Sequence, residues 1–144
     1  MTRPTTAAIV GAAIVCLGIA AAAQGGNKFK ARLSWVPIDA TTAPTITGAG
    51  SATAELSGSS LAVTGTFEGL RSPATIAQLH NSVKTGVSGP VVSDLTVTKA
   101  ASGTISGSAR LTSVQVDDLR KGRLYIQIHS EKAPEGNLRG WLLQ

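Results

Sequence analysis

The stretch LRKGRLYIQIHSEKAPEGNLRGWLL, residues 119–143, gives the clearest indication of the fold. In residues 123–130 apolar and polar side chains alternate strictly, which is typical of a β-strand with one buried face. Residues 133–136 contain a proline and a glycine and predict a turn. Residues 137–143 then predict a closing strand, so this part of the chain predicts a β-hairpin.

Six segments upstream alternate in a similar way and predict further strands: residues 28–36, 48–56, 61–67, 75–80, 91–97 and 103–111. One short helix is predicted near residues 113–121. Thr112 and Gln115 fit the two ends of a capping box, and Gly122 follows where a left-handed residue often ends a helix. Eight predicted strands and one helix indicate an all-β fold, which we expect to be an antiparallel Greek-key β-sandwich.

Residues 1–23 predict a secretory signal peptide, whose apolar part we expect to be helical. Arg3 gives it a positive start, an apolar run follows, and residues 21–23 supply small side chains for cleavage. Cleavage leaves residues 24–144 as one domain without cysteine, because Cys16 lies in the removed segment. This predicts a secreted or periplasmic protein. The alternative is that the segment is retained as a membrane anchor.

Composition and charge narrow the classes of partner. The formal net charge is +5, but the cations are scattered and aromatic residues make up only 3% of the chain. Nucleic-acid binding is therefore not expected, since it favours basic patches interleaved with aromatic residues. A protein or a polysaccharide is the expected partner, and membrane association is expected only if the N-terminal segment is retained.

Three stretches of the chain resemble the CHRD domain, the module repeated in chordin and found singly in bacterial secreted proteins. The first strand ends near Pro37, and Gln78 and His80 precede a loop ending in Gly89 and Pro90. The close of the family motif is matched by Tyr125, His129, Pro134, Gly136, Arg139 and Gly140. Gln78 stands where the family usually has a histidine. The resemblance implies an immunoglobulin-like β-sandwich, and the family has no established general activity.

The two histidines of the chain are the candidate metal ligands. His80 and His129 each end a predicted strand, and each follows a glutamine by two residues. We expect the two rings on one face of the domain, within about 10 Å of each other, as on neighbouring or next-nearest strands. With Asp94 or Glu131 they would form a weak zinc or copper site. The alternative is that both rings bond to the backbone and hold loops.

Arg139 is a second candidate site residue. It is expected either to pair with a carboxylate, Glu135 or Asp94, or to hold an anionic ligand bidentately. Catalytic motifs are not found: there is no nucleophile elbow, paired carboxylate motif or phosphate-binding loop. The sequence therefore predicts a non-enzymatic binding or structural module without a cofactor, with zinc or copper binding as the alternative.

The alternation also predicts which large apolar side chains are buried. We expect burial at Trp35, Leu61, Val63, Leu79, Leu124, Ile126, Ile128 and Leu142. Trp141 alternates with Leu142, so it is a candidate for an exposed aromatic residue at a contact surface.

Overall fold

The computed structural model describes residues 27–144, which form eight β-strands and one α-helix. The predicted signal peptide, residues 1–23, lies outside the described residues. In chain order the elements are β1 (Lys28–Trp35), β2 (Ala49–Ser57), β3 (Ser60–Glu68), β4 (Ala74–Asn81), β5 (Val91–Val97), β6 (Gly103–Arg110), α1 (Ser113–Arg120), β7 (Leu124–Ser130) and β8 (Ala133–Trp141).

All strand pairs are antiparallel, and the strand order is β1-β2-β3-β6-β5-β4-β7-β8, closed back onto β1. Strands β4, β5 and β6 are neighbours in sequence and in space. The connection through α1 then returns the chain across β5 and β4, so that β7 lies beside β4. This is the Greek-key connection. The all-β class and the single short helix are as predicted.

The prediction of an open immunoglobulin-like sandwich is wrong, because the eight strands close into a β-barrel. Two strands make the closure. The first part of β1 pairs with β2, and its last two residues pair with β8. Similarly, the first part of β5 pairs with β4, and its last two residues, Thr96 and Val97, pair with β6. A strand alternates with period two whichever neighbour it pairs with, so the alternation alone could not show these exchanges.

The barrel interior is filled by aliphatic side chains and two phenylalanines. Seven of the eight residues predicted to be buried are buried: Leu61, Val63, Leu79, Leu124, Ile126, Ile128 and Leu142. The prediction for Trp35 is wrong, since this side chain is 55% exposed. Trp35 is the last residue of β1, at the barrel rim, where its indole N–H donates to the Gly48 carbonyl at 2.8 Å.

The predicted turn at residues 133–136 is also misplaced. The turn consists of Glu131 and Lys132, and Ala133 already belongs to β8. Pro134 lacks the N–H that a regular ladder needs, but the β7–β8 register shifts between Ile128 and Ser130. A proline is tolerated within a strand at such an irregularity.

The helix forms as its sequence predicts. Gln115 donates its backbone N–H to the Thr112 hydroxyl at 3.2 Å, and the Gln115 side chain accepts from the Thr112 N–H at 2.9 Å. Leu119 is its buried residue, and Gly122 follows with φ +69°. The helix leads the chain from β6 to β7, at the end of the barrel where Asp118 bonds Asn81 and Arg123.

Closure of the barrel at β1 and β8 depends on Gly140. A Cβ atom there would lie 2.6 Å from the Arg32 carbonyl oxygen and 2.8 Å from Leu33 Cδ2. We therefore expect Gly140→Ala to lower the free energy of unfolding by about 1–3 kcal/mol, the usual cost of overpacking. Urea denaturation followed by circular dichroism measures this loss.

Gly107→Ala is the matched control. A Cβ atom at Gly107 would lie 2.9 Å from Leu95 Cδ2, the end of a flexible side chain that can move aside. We expect a smaller loss for this variant. Equal losses, or an unchanged free energy for Gly140→Ala, would contradict the role of Gly140 in closure.

Candidate functional site

Strand β7 is buried on both of its faces, which is unusual for a barrel strand. Leu124, Ile126 and Ile128 point into the core, and the outward-facing Tyr125 and Gln127 are only 1% and 5% exposed. The outward-facing side chains of β4, β7 and β8 form what we call the outer face. Residues 82–90 and 36–46, two loops, lie against it. Burial of polar groups outside the core marks this face as the candidate site.

An aromatic row crosses the outer face, with His80 opposite Tyr125 and Tyr125 opposite Trp141. The His80 and Tyr125 rings stack at 4.7 Å with 8° between their planes. The Tyr125 and Trp141 ring centres are 4.6 Å apart, and the Arg139 guanidinium carbon lies 4.8 Å from the Tyr125 ring centre. Tyr125 is therefore the centre of a packed cluster that holds Arg139 by a cation–π contact.

The same cluster holds the 82–90 loop. The Gly89 N–H donates to the Tyr125 hydroxyl at 3.0 Å, and that hydroxyl donates to the Gly89 carbonyl at 3.2 Å. His80 Nδ1 lies 3.0 Å from the same carbonyl. A carbonyl only accepts, so neutral His80 carries its proton on Nδ1. Pro90 completes the attachment by accepting from the Asn81 N–H at 3.0 Å.

His80 is poorly suited to carry a charge. Burial lowers the pKa of His80 below the usual 6.5, and charge repulsion from His129 and Arg139 lowers it further, against the opposing effect of the Gly89 hydrogen bond. Its Nε2 is buried, and no protein group within residues 27–144 bonds to it. Protonation would leave a donor there without a partner, so the neutral ring is favoured.

A second row is centred on Gln127, which lies opposite Gln78 on one side and Arg139 on the other. The Gln127 carbonyl oxygen accepts from Arg139 Nε at 2.8 Å. Its amide nitrogen donates to the Glu135 carbonyl at 3.2 Å and to His129 Nε2 at 3.3 Å. Both ends of the buried amide are thus bonded, as burial of a polar side chain requires.

Gly136 makes room for that amide. It has φ +138°, and a Cβ atom there would lie 2.8 Å from Gln127 Nε2. A glycine at this point of β8 therefore lets the strand pass over the glutamine side chain. His129 Nδ1 donates to the Pro134 carbonyl at 2.8 Å, so Pro134 and Gly136 position the two side chains on β7.

The two histidines lie on the same outward face, since His80 is opposite Tyr125 and His129 is opposite Ile76. That the rings lie within about 10 Å of each other stays a prediction. His129 lies four residues along β7 from Tyr125, the residue opposite His80, which is a rise of roughly 13 Å. Each ring is hydrogen-bonded to a backbone carbonyl, as expected if the histidines hold loops in place. Within residues 27–144, no three His, Cys, Asp or Glu residues form a cluster suited to a metal ion.

The two carboxylates predicted to pair with Arg139, those of Glu135 and Asp94, do not do so. The Gln78 side chain donates a hydrogen bond to the Asp94 carboxylate at 2.8 Å, and neither histidine bonds to that carboxylate. Neither Asp94 nor Glu135 pairs with Arg139: the ion pairs within residues 27–144 are Lys28–Glu55 and Arg123–Asp118. Arg139 instead donates from Nε to Gln127 and lines two depressions, of about 280 Å³ and about 250 Å³.

Asn137 is a site residue that the sequence did not reveal. It is fully buried, accepts from the Ser130 hydroxyl at 2.9 Å and donates to the Thr47 carbonyl at 2.7 Å. Its backbone carbonyl accepts from the Val36 N–H at 3.2 Å, so Asn137 fixes both ends of the 36–46 loop beside Arg139. An asparagine next to a predicted turn is ordinary in sequence, and nothing marked it as buried.

Comparison with protein-family models identifies a CHRD domain over residues 29–142. The chain therefore belongs to the CHRD domain family, as its closing motif predicted. CHRD domains are typically extracellular or periplasmic. Comparison with curated proteins and with solved structures gave no match. Within residues 27–144, no helix has the length and apolar character needed to cross a bilayer.

The lowered pKa of His80 predicts a pH dependence of stability. The unfolded chain binds a proton near the usual pKa of about 6.5, and the folded chain only at lower pH, so stability should fall as pH drops below about 6.5. We expect the melting temperature to be lower at about pH 5.5 than at about pH 7.5. His80→Phe keeps a stacked ring without a titrating group, and should remove this pH dependence.

His129→Gln is the control, because it removes the other histidine and should leave the fall in place. Thermal melts of the wild type and the two variants at both pH values measure the fall in melting temperature. Asp39 and Asp118 do not interfere, since hydrogen bonding keeps their pKa values below 3.8, outside this window. An equal fall in the His80→Phe variant would contradict the assignment.

Proposed function

We propose that this chain is a secreted or periplasmic, non-enzymatic binding module of the CHRD type, and that it binds its ligand on the outer face beside Arg139. Membership of the family supports a binding module in that setting. The proposed position of the site rests on the hydrogen bonding of Arg139. Within residues 27–144 its side chain bonds through Nε alone and makes no ion pair, while it lines both depressions.

An arginine held in this way is prepared for a ligand. A guanidinium group has five N–H donors in a fixed plane, and Gln127 takes one of them. The Tyr125 ring and the Gln127 carbonyl restrain the side chain, so little conformational entropy remains to be lost on binding. The remaining donors can bind a carboxylate or another anion bidentately.

The absence of catalysis is part of the proposal, and the histidine contacts support it. His80 Nδ1 and His129 Nδ1 donate to backbone carbonyls, and Gln127 bonds to His129 Nε2. Neither ring is presented to a bound molecule as a general base would be. The same contacts favour a loop-holding role for the two rings over the zinc or copper site.

The test compares what wild-type and variant proteins retain from the native envelope or culture fluid. We expect immobilised wild-type protein to retain a protein or a polysaccharide that Arg139→Gln retains at least about tenfold more weakly, as for the loss of a charge-assisted contact. Thermal melts confirm that the variant is folded.

Arg110→Gln is the matched control, with the same charge change at an exposed residue of β6, on the far side of the barrel. It should retain the material as the wild type does. Retention by Arg139→Gln at the wild-type level would contradict the proposed site.

A further inference from the structure

The two tryptophans of the chain meet at one depression of about 250 Å³. Trp35 is 55% exposed, and Trp141 is partly exposed. Both rings are fixed in place. The Trp35 indole N–H donates to the Gly48 carbonyl at 2.8 Å, and Trp141 packs against Tyr125 at 4.6 Å. Large apolar rings held at a surface in this way point to a contact made through their faces.

The same depression is positively charged. Arg32 and Arg139 line it, and none of its lining residues carries a carboxylate. Arg32 is exposed and makes no ion pair within residues 27–144. Since Ser34 of β1 is paired with Arg139 of β8, the closure of the barrel brings the arginines of these two strands to one place. We call this depression, lined by Arg32, Trp35, Arg139 and Trp141, the tryptophan groove.

We propose that the tryptophan groove binds an acidic sugar unit of an anionic polysaccharide, of the uronic acid type. The apolar C–H face of a pyranose ring packs on an indole face, and the sugar carboxylate binds the guanidinium groups. The charges match, because the groove has two cations and no anion of its own. This inference rests on the proposed function and names the ligand class of the same site.

An acidic peptide fits the surface less well. Extended peptides commonly add a strand to a free sheet edge, and closure of the barrel leaves only short unpaired stretches at its two seams. Peptide anchors also need deep apolar pockets, whereas the groove volume, about 250 Å³, is below the ~300–1,000 Å³ typical of enclosed ligand pockets. A shallow groove with aromatic walls and cations suits a single ring of a longer polar chain.

Intrinsic fluorescence reports directly on the groove, because it contains both tryptophans of the chain. We expect galacturonic acid oligomers to cause a saturable change in tryptophan emission, and neutral galactose oligomers to cause none at the same concentrations. Calorimetry gives the dissociation constants of the variants. Arg32→Gln should weaken binding about tenfold, the effect of one lost charge-assisted contact.

The variants separate specific contact from general charge. Trp35→Ala should weaken binding about as much as Arg32→Gln, while Trp35→Phe keeps a ring face and should keep most of the affinity. Arg110→Gln has the same charge change outside the groove and should bind as the wild type does. Equal weakening by Arg32→Gln and Arg110→Gln would overturn the proposal, since binding would then follow net charge alone.

Poly-glutamate distinguishes the two ligand classes. If it binds as tightly as the galacturonic acid oligomers with the same loss in Trp35→Ala, the acidic-sugar assignment is overturned, although the binding site stands. If galacturonic acid oligomers do not bind while Arg139-dependent retention of native material persists, only this inference fails. If that retention fails as well, the proposed function fails with it.

Discussion

The arrangement of the outer face depends on one buried amide, that of Gln127. An amide left without partners in a protein interior costs about 1–3 kcal/mol, so the chain must supply them. It does so with Arg139 Nε, the Glu135 carbonyl and His129 Nε2. The path of β8 at Gly136 and the direction of the Arg139 side chain follow from satisfying this group.

The barrel supplies the rigid frame in which these contacts are made. Because β1 passes from β2 to β8, the side chains of the first and last strands share one surface. Gly140 allows this close approach, and Trp35 and Trp141 reach the same groove as a result. A site on paired strands is held more precisely than one on loops alone, which suits the proposed binding function.

The sequence predicts the local elements well and the long-range arrangement less well. Alternation located every strand, and the capping box located the helix, because both patterns arise between near neighbours. Closure into a barrel could not be predicted, since a strand that changes partner keeps the same alternation. Pro134 and Gly136 resemble turn residues, yet they lie in β8 because the register shift and the Gln127 side chain need them there.

At the candidate site, too, local patterns could be predicted and most long-range contacts could not. The sequence analysis predicts that His80 and His129 share a face, and the register confirms it, because Tyr125, the residue opposite His80, and His129 lie an even number of residues apart on β7. The partners of Arg139 could not be predicted, because Gln127 and Tyr125 reach it only after β7 and β8 pair with this register. Arg139 bonds to the Gln127 amide and not to the predicted Glu135 or Asp94, because the amide lies directly opposite on the neighbouring strand.

We propose that the buried amide of Gln127 holds Arg139 in place for a ligand. The order parameter of the Arg139 Nε–H bond, from ¹⁵N relaxation of the unbound protein, tests it most directly. We expect a value near that of rigid backbone, about 0.85, and a fall below about 0.6 in Gln127→Leu. A wild-type value below about 0.6, equal to that of the exposed Arg110, would contradict it.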